Sequence, residues 1–336
     1  MRAFAVSTLM MLALGASADA KDIRISLDWA WQGGQAPFAL AEQMGLFKAE
    51  GLDVVMDRGN GAADTVTRIA GGAYDIGFGD LGPMVKLDAE QPDKALLAVL
   101  MLYDRSPLCA IALTKSGIKA PKDLEGKTIA APEADAGRVL FPALVKATGV
   151  DPGKIKWQTV APALRETMLF KGDADAITGF ITSGYFNLVG LGIKPEDIVV
   201  MRYADYGVDI YGSGIYARPA FAASNPDAVK GVVRAIIKAH QAALKDPAAA
   251  IAALTKRDAL IDPALELKRL SMINDQLITT DATRAKGIGT VDPARLARMI
   301  GTIADAYAIK TPPAPEIIYT DRFLPPQADR LLPAKM

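Results

Sequence analysis

IRISLDWAWQGGQAPFALAEQMGLFKAEGLDVV (Ile23–Val55) reads as strand, helix, strand. Asp22–Leu27 alternates apolar residues at the period of a strand. Ala36–Lys48 carries a helical pattern, with Gly51 as its stop, and Leu52–Met56 is a second strand. The alternation continues outward. Gly59-Asn60-Gly61 makes a turn, and Ala63–Ala70 is a helix closed by Gly71-Gly72. Tyr74–Phe78 is a strand, Leu81–Glu90 a helix and Leu96–Tyr103 a buried strand. Strands that alternate with helices predict parallel sheets covered on both faces.

The pattern restarts at Cys109–Thr114. Strands are expected at Thr128–Ala131, Ile155–Val160, Asp175–Phe180 and Ile198–Arg202. A short helix is expected at Pro121–Leu124, and longer ones at Arg138–Thr148, Leu164–Lys171 and Ser183–Gly190. Gly212–Ala217 extends again, and helices follow. Asn225-Pro226 opens one over Asp227–Lys245, with Val229, Val232, Val233, Ile236, Ile237 and Leu244 on one face. Others are expected at Ala248–Lys256, Pro263–Ile278 and Pro293–Ala308. The proline-rich tail Lys310–Met336 reads as an irregular strap. The fold class is therefore α/β with two lobes: residues 21–108 plus 213–336, and residues 109–212. The chain would cross between them near Pro107–Cys109 and Tyr211–Gly214. Ligands of open α/β sheets bind beyond the carboxyl ends of strands, so two facing lobes would share a cleft.

Composition narrows the function. The chain has 336 residues, 51% hydrophobic and 23% charged, which suits a globular protein with a large core. Lys plus Arg and Asp plus Glu are 38 each. Such neutrality does not favour nucleic acid or an anionic membrane surface. Residues 1–20, MRAFAVSTLMMLALGASADA, have the Arg2 start, the short apolar run and the small-residue sites (Ala16-Ser17-Ala18 or Ala18-Asp19-Ala20) of a cleaved signal peptide. No lipobox cysteine stands near residue 20, so a freely soluble periplasmic protein is expected. Cys109 is the only cysteine and is expected to be a buried apolar residue. His240 is the only histidine and is expected on or near the surface. Together they cannot form a His/Cys zinc site, and no cofactor is implied.

The order Leu27-Asp28-Trp29, then a helix, then Gly45-Leu46-Phe47-Lys48-Ala49-Glu50-Gly51-Leu52-Asp53-Val54 resembles the start of one family. These are the extracytoplasmic binding proteins of ABC importers for nitrate, sulfonates, taurine and the thiamine pyrimidine precursor (SsuA/THI5-like). Ala204-Asp205-Tyr206-Gly207-Val208 is similar to a run in the thiamine-pyrimidine branch. The turn after Trp29, Ala30-Trp31-Gln32-Gly33-Gly34, lacks the Pro/Asn-rich character of that branch. The resemblance implies a type II periplasmic-binding-protein fold with a two-strand hinge. It also implies a monomer that hands a small molecule to a permease and its ATPase. A eukaryotic pyrimidine synthase shares the fold but draws on its own histidine and a cysteine-rich iron motif, which Cys109 and His240 cannot supply.

Several turns offer candidate ligand contacts. Gly77-Phe78-Gly79-Asp80-Leu81-Gly82 matches G-x-G-x-x-G, with Asp104 further on as a possible ribose acid. However, Asp80 sets a carboxylate where a pyrophosphate would approach, Pro83 removes a donor, and export removes the cofactor pool. Asp80 is instead expected to cap the helix, with or without touching ligand. Trp29 either stacks a flat ligand or plugs the lobe, Trp31 lies at a rim, Gln32 and Gln35 offer polar contacts, and Phe38 packs inside. Glu133 and Asp135, before Arg138, open a helix in the second lobe. Thr182 and Ser183 are caps or neutral ligands. Asp205 and Tyr206 are candidate ligand contacts, with Gly207 and Gly212 as hinge residues and Asp209 nearby. Asp80, Glu133, Asp135, Asp205 and Asp209 against Arg138 predict an acid-rich, aromatic cleft. That suits an amine-bearing ring such as an aminopyrimidine better than nitrate, taurine or a sulfonate. No motif of acyl or phosphoryl transfer is present, so binding without catalysis is the expected role.

Overall fold

The computed structural model describes residues 20–334. The expected signal peptide, residues 1–20, lies outside the described residues but for Ala20. The chain forms two five-stranded sheets. The first runs β2-β1-β3-β10-β4, from β1 (Lys21–Ser26), β2 (Leu52–Asp57), β3 (Ile76–Asp80), β4 (Leu97–Met101) and β10 (Ser213–Ala217). The second runs β7-β6-β8-β5-β9, from β5 (Leu108–Leu113), β6 (Thr128–Ala131), β7 (Lys156–Thr159), β8 (Ala176–Phe180) and β9 (Ile198–Arg202).

Each sheet is mixed rather than purely parallel, which corrects the sequence expectation. β1 pairs parallel with β2 and β3, and β6 with β7 and β8. In each sheet one strand is antiparallel to both neighbours: β10 between β3 and β4, and β5 between β8 and β9. These are the strands that follow the two crossings, β4 to β5 and β9 to β10. A chain arriving from the other lobe enters at the cleft end of the sheet and must run away from it. The other four strands of each sheet run toward it. Local periodicity carries no information on that direction.

Burial follows the expected patterns. β1 alternates, with Ile23 and Ile25 buried and Asp22 and Arg24 exposed. β4, β5 and β10 are buried along their whole length; β5 and β10 have a strand on each side, and β4, at the edge of its sheet, is covered by the tail at Ala98. Gly77 and Gly79 lie within β3 and Gly82 in the following helix, so the G-x-G-x-x-G run is not a phosphate loop. A Cβ on Gly77 would lie 2.4 Å from the Tyr216 ring, so the glycine serves strand packing. The long helix Pro226–Lys245 lays Val229, Val232, Val233, Ile236 and Ile237 on the first lobe. Asn225 precedes it without a side-chain cap. The predicted Pro263–Ile278 helix is α-helical to Met272 and then widens to a π-helix over Ile273–Ile278. The tail is an irregular strap on the first lobe. Thr320 N donates to Ala98 O, and Gln241 Nε2 donates to the carbonyls of Asp329 and Leu331. Among the described residues no helix is long and apolar enough to cross a membrane.

His240 corrects its expectation. It is 1% exposed, edge-on to Phe38 at 6.1 Å, with no hydrogen bond to either ring nitrogen. Burial pushes its pKa down to about 3, against 6.5 ordinarily. The unfolded chain therefore binds a proton that the native state refuses between about pH 6.5 and 3. The contribution of this group falls as pH drops through that window. His240→Leu should remove that penalty. Its stability relative to wild type, from urea unfolding at pH 7, 5.5 and 4, should rise by up to roughly 1.4 kcal/mol per pH unit. A difference that does not change with pH contradicts this account.

Candidate functional site

Between the lobes lies a cleft of about 510 Å³, part of it open to solvent. The first lobe contributes Asp28, Trp29, Gln32, Gln35, Phe78, Tyr103 and Arg269. The second contributes Asp135, Arg165, Phe180, Thr182 and Ser183. The strand-end rule explains much of this list. Asp28 and Trp29 follow β1, Tyr103 follows β4, and Phe180 ends β8 before the helix Ile181–Gly190, whose first turn holds Thr182 and Ser183. Phe78 and Tyr103 in the first-lobe wall and Phe38 behind them form an aromatic row, with ring centroids 4.8 and 5.9 Å apart.

Two buried arginines organise the cleft. Arg165 is 1% exposed. Its Nη1 donates to Asp135 Oδ2 at 2.9 Å. Its Nε and Nη2 donate to Glu166 Oε1 at 3.0 and 2.5 Å, and Nη2 also donates to Ser183 Oγ at 3.1 Å. The Trp29 ring of the opposite lobe lies over this guanidinium, 4.8 Å away. Gly179 makes room for it, since a Cβ there would meet Nη1 at 2.4 Å and the residue sits at φ +149°. Arg269 belongs to the first lobe and reaches into the second. Its Nε donates to Glu266 at 2.7 Å, and Nη2 donates to Glu266 at 3.0 Å and to Asn187 Oδ1 at 2.9 Å. Its Nη1 donates to the carbonyls of Thr182 and Ser183. Gln32 Nε2 meets the same Asn187 oxygen at 3.1 Å. The lobes also touch where Ala63 N donates to Ala134 O, 3.2 Å away, beside Gly61.

Asp135 caps its helix by accepting from Arg138 N at 3.0 Å, and it accepts from Thr178 at 3.2 Å. Burial raises its pKa, opposed by Arg165. Asp28 is 4% exposed. Gln35 Nε2 donates to its Oδ1 at 3.2 Å. Burial pushes its pKa up to about 7, with the Gln35 bond opposing. Among the described residues, no hydrogen bond engages Asp28 Oδ2, the Tyr103 hydroxyl, the Gln35 side-chain oxygen or the Thr182 hydroxyl, and none of these is sealed from the cleft.

Of the candidate contacts named from sequence, the fold brings Trp29, Gln32, Gln35, Asp135, Thr182 and Ser183 to this cleft. It does not bring the others. Asp80 caps its helix, accepting from Gly82 N at 2.8 Å, but it is wholly buried behind the wall with Oδ2 unpartnered. Glu133 is exposed in an outer groove with Lys86 and Arg138. Arg138 turns to Thr159 and lies over Trp157. Asp205 is exposed, and Tyr206 packs on the core beside buried Tyr203. The Tyr203–Tyr206 turn anchors through Tyr203 Oη to Gly137 O at 2.7 Å, which leaves Asp205 outside. Asp209 pairs with Arg295, as does Asp104. The acidic lining therefore comes from Asp28 and Asp135, with Glu166 and Glu266 behind them. Sequence reasoning passed over Asp28, Tyr103, Arg165 and Arg269. Asp28 and Tyr103 sit just past strand ends, a signal that was available. The Glu266/Arg269 spacing is equally typical of a solvated helix face.

The NMT1/THI5-like family model matches residues 32–250. The chain belongs to the NMT1/THI5-like family. It is 28% identical over 225 residues to the 4-amino-5-hydroxymethyl-2-methylpyrimidine phosphate synthase of Aspergillus parasiticus, covering 64% of each chain and so just under two thirds of that protein. It is 26% identical over 248 residues to the formylaminopyrimidine-binding protein of Halalkalibacterium halodurans, covering 73% of each. Its fold matches the alkanesulfonate-binding protein SsuA from Xanthomonas axonopodis pv. citri bound to MOPS, with TM-score 0.69, 17% identity, and 90% and 98% of the two chains covered. This NMT1/THI5-like chain therefore has the bilobal fold of periplasmic binding proteins.

Replacing Arg165 with Met would leave Asp135 and Glu166 buried without a counter-charge. The loss expected is about 3–5 kcal/mol, read by chemical unfolding. Adding Asp135→Asn should recover part of it. A loss below about 0.5 kcal/mol would show that water reaches these carboxylates.

Proposed function

We propose that this protein is an extracytoplasmic solute-binding protein that takes a small, flat, amine-bearing ring such as an aminopyrimidine and presents it to an ABC permease. One observation carries the reading: the cleft's cations are already engaged. Four of the five N–H groups of Arg165 and all five of Arg269 go to protein acceptors. A nitrate or sulfonate is held by unengaged donors, and a buried carboxyl such as Asp28 opposes its entry. This cleft turns a carboxyl oxygen, an amide oxygen and two hydroxyls toward its ligand. Two guanidinium groups stand against the three carboxyls bound to them, Asp135, Glu166 and Glu266, with Asp28 in addition. N–H-rich ligands match such a surface, and Trp29, Phe78, Tyr103 and Phe180 give a ring flat walls. The formylaminopyrimidine-binding relative supports the same class.

Catalysis is the weaker reading, although two relatives are named as synthases. His240 and Cys109 are both buried away from the cleft lining, and burial raises the thiol pKa. In the proposed cycle the lobes part about the segments between β4 and β5 and between β9 and β10. At Gly212 these segments touch. Its N–H donates to Tyr103 O at 3.0 Å, and a Cβ there would meet Arg105 O at 2.8 Å. Gly207 turns the second segment at φ 93°. Together they form the proposed hinge, dividing residues 21–108 plus 213–336 from residues 109–212.

Thermal-shift and calorimetric titration should find stabilisation by 4-amino-5-hydroxymethyl-2-methylpyrimidine and by formylaminopyrimidine. At 100-fold above Kd the gain is about 2.7 kcal/mol. Nitrate, taurine and alkyl sulfonates should give none, and the bound ring should be recovered unchanged by mass spectrometry. Sulfonate binding without amine binding, or conversion of the ring, would overturn the reading.

A further inference from the structure

We infer that Asp28 selects the ligand, its carboxyl pairing with a ring nitrogen and with the amino group on the adjacent ring carbon. The inference rests on the functional reading above and assigns its selectivity to one side chain.

Asp28 differs from every other carboxyl around the cleft. Asp135 has both oxygens engaged, by Arg165, Thr178 and the Arg138 amide. Glu166 and Glu266 are held by the two arginines. Asp80 lies behind the wall and does not line the cleft. Asp28 lines it, is held at one oxygen by Gln35, and among the described residues has no partner at the other. Gln35 stands in the turn that enters helix Ala36–Gln43, so its amide fixes the orientation of the carboxyl. Tyr103 and Phe78 line the cleft with it, their rings set edge-to-face at 82°, so either ring can offer its face to a planar ligand.

A carboxyl and an amino-substituted ring nitrogen meet through two parallel hydrogen bonds. One oxygen accepts from the amino N–H. The second bond is either acid O–H to ring N or ring N–H to carboxylate, and both hold one proton between the partners. The surroundings keep that proton at hand near neutral pH. Burial raises the Asp28 pKa to about 7. The groups near it are Asp80, Tyr103 and Tyr216, with Arg165 and Asp135 across the cleft paired to each other. A methyl group in place of the amine fills the same volume and leaves the carboxyl oxygen unpaired.

Calorimetry should compare 4-amino-2-methylpyrimidine with 2,4-dimethylpyrimidine on wild type, on Asp28→Leu, which has neither donor nor acceptor, and on Asp28→Asn, whose amide can still accept from the amino group and donate to the ring nitrogen. Wild type should prefer the amino ring by about 10- to 100-fold. The Leu variant should bring the ratio within about threefold, mainly by weakening the amino ring, and the Asn variant should keep a clear preference for the amino ring. If the Leu variant unfolds, Gln35→Leu serves instead, with about tenfold weaker binding of the amino ring and unchanged binding of the dimethyl ring. An unchanged ratio in Asp28→Leu, unchanged amino-ring binding in Gln35→Leu, or equal binding of the two rings by wild type overturns this inference alone. Binding of neither ring by wild type overturns the functional reading and this inference together.

Discussion

Arg165 sits where neither lobe alone could hold it as it is held here. A guanidinium taken from water loses several kcal/mol of solvation, and only close, hydrogen-bonded countercharges offset that loss. Asp135 and Glu166 supply the charges, Ser183 a further acceptor, and the Trp29 ring of the other lobe covers the group. The second lobe thus carries a neutralised cation at its cleft edge, and the first lobe supplies the lid. Opening the lobes would remove Trp29 from its face and leave the bonds to Asp135, Glu166 and Ser183 in place.

Arg269 solves the mirror problem from the other side. It is rooted in helix Pro263–Met272 of the first lobe and tied to Glu266, yet it gives its remaining donors to Thr182, Ser183 and Asn187 of the second. Its planar fork satisfies several acceptors at once, which a lysine could not do. Because both arginines are committed to protein oxygens, the cleft is rich in arginine and yet offers little to an anion. Counting charged residues in the lining would mislead. The hydrogen-bond partners determine what the cleft can recognise.

The likeness to an alkanesulfonate-binding protein and to pyrimidine-related proteins follows from this separation of fold and site. The two sheets, their crossings and the facing strand ends create a cleft. A few side chains just past those strand ends set its chemistry. Asp28, Tyr103 and Thr182 are such residues here.

Strand–helix alternation, the restart at Cys109, the two crossings and the capping role of Asp80 were legible in the chain. Each depends on periods of two or 3.6 residues, on glycine and proline punctuation, or on a neighbour two residues away. Trp29 and Asp135 were legible as cleft residues because they follow strand ends. The antiparallel β5 and β10, the burial of His240, the exposure of Asp205 and Glu133, and the pairing of Arg165 and Arg269 were not. Arg165 reaches Asp135 across 30 residues, and Arg269 reaches Asn187 across 82. Such pairs exist only once folding has fixed distant segments, within the second lobe for Arg165 and Asp135 and between the lobes for Arg269 and Asn187, because electrostatic and packing energies depend on distance in space. The sequence by itself determined that there would be two facing lobes. Tertiary structure decided which charges between them are cancelled and which oxygens are left to meet a ligand.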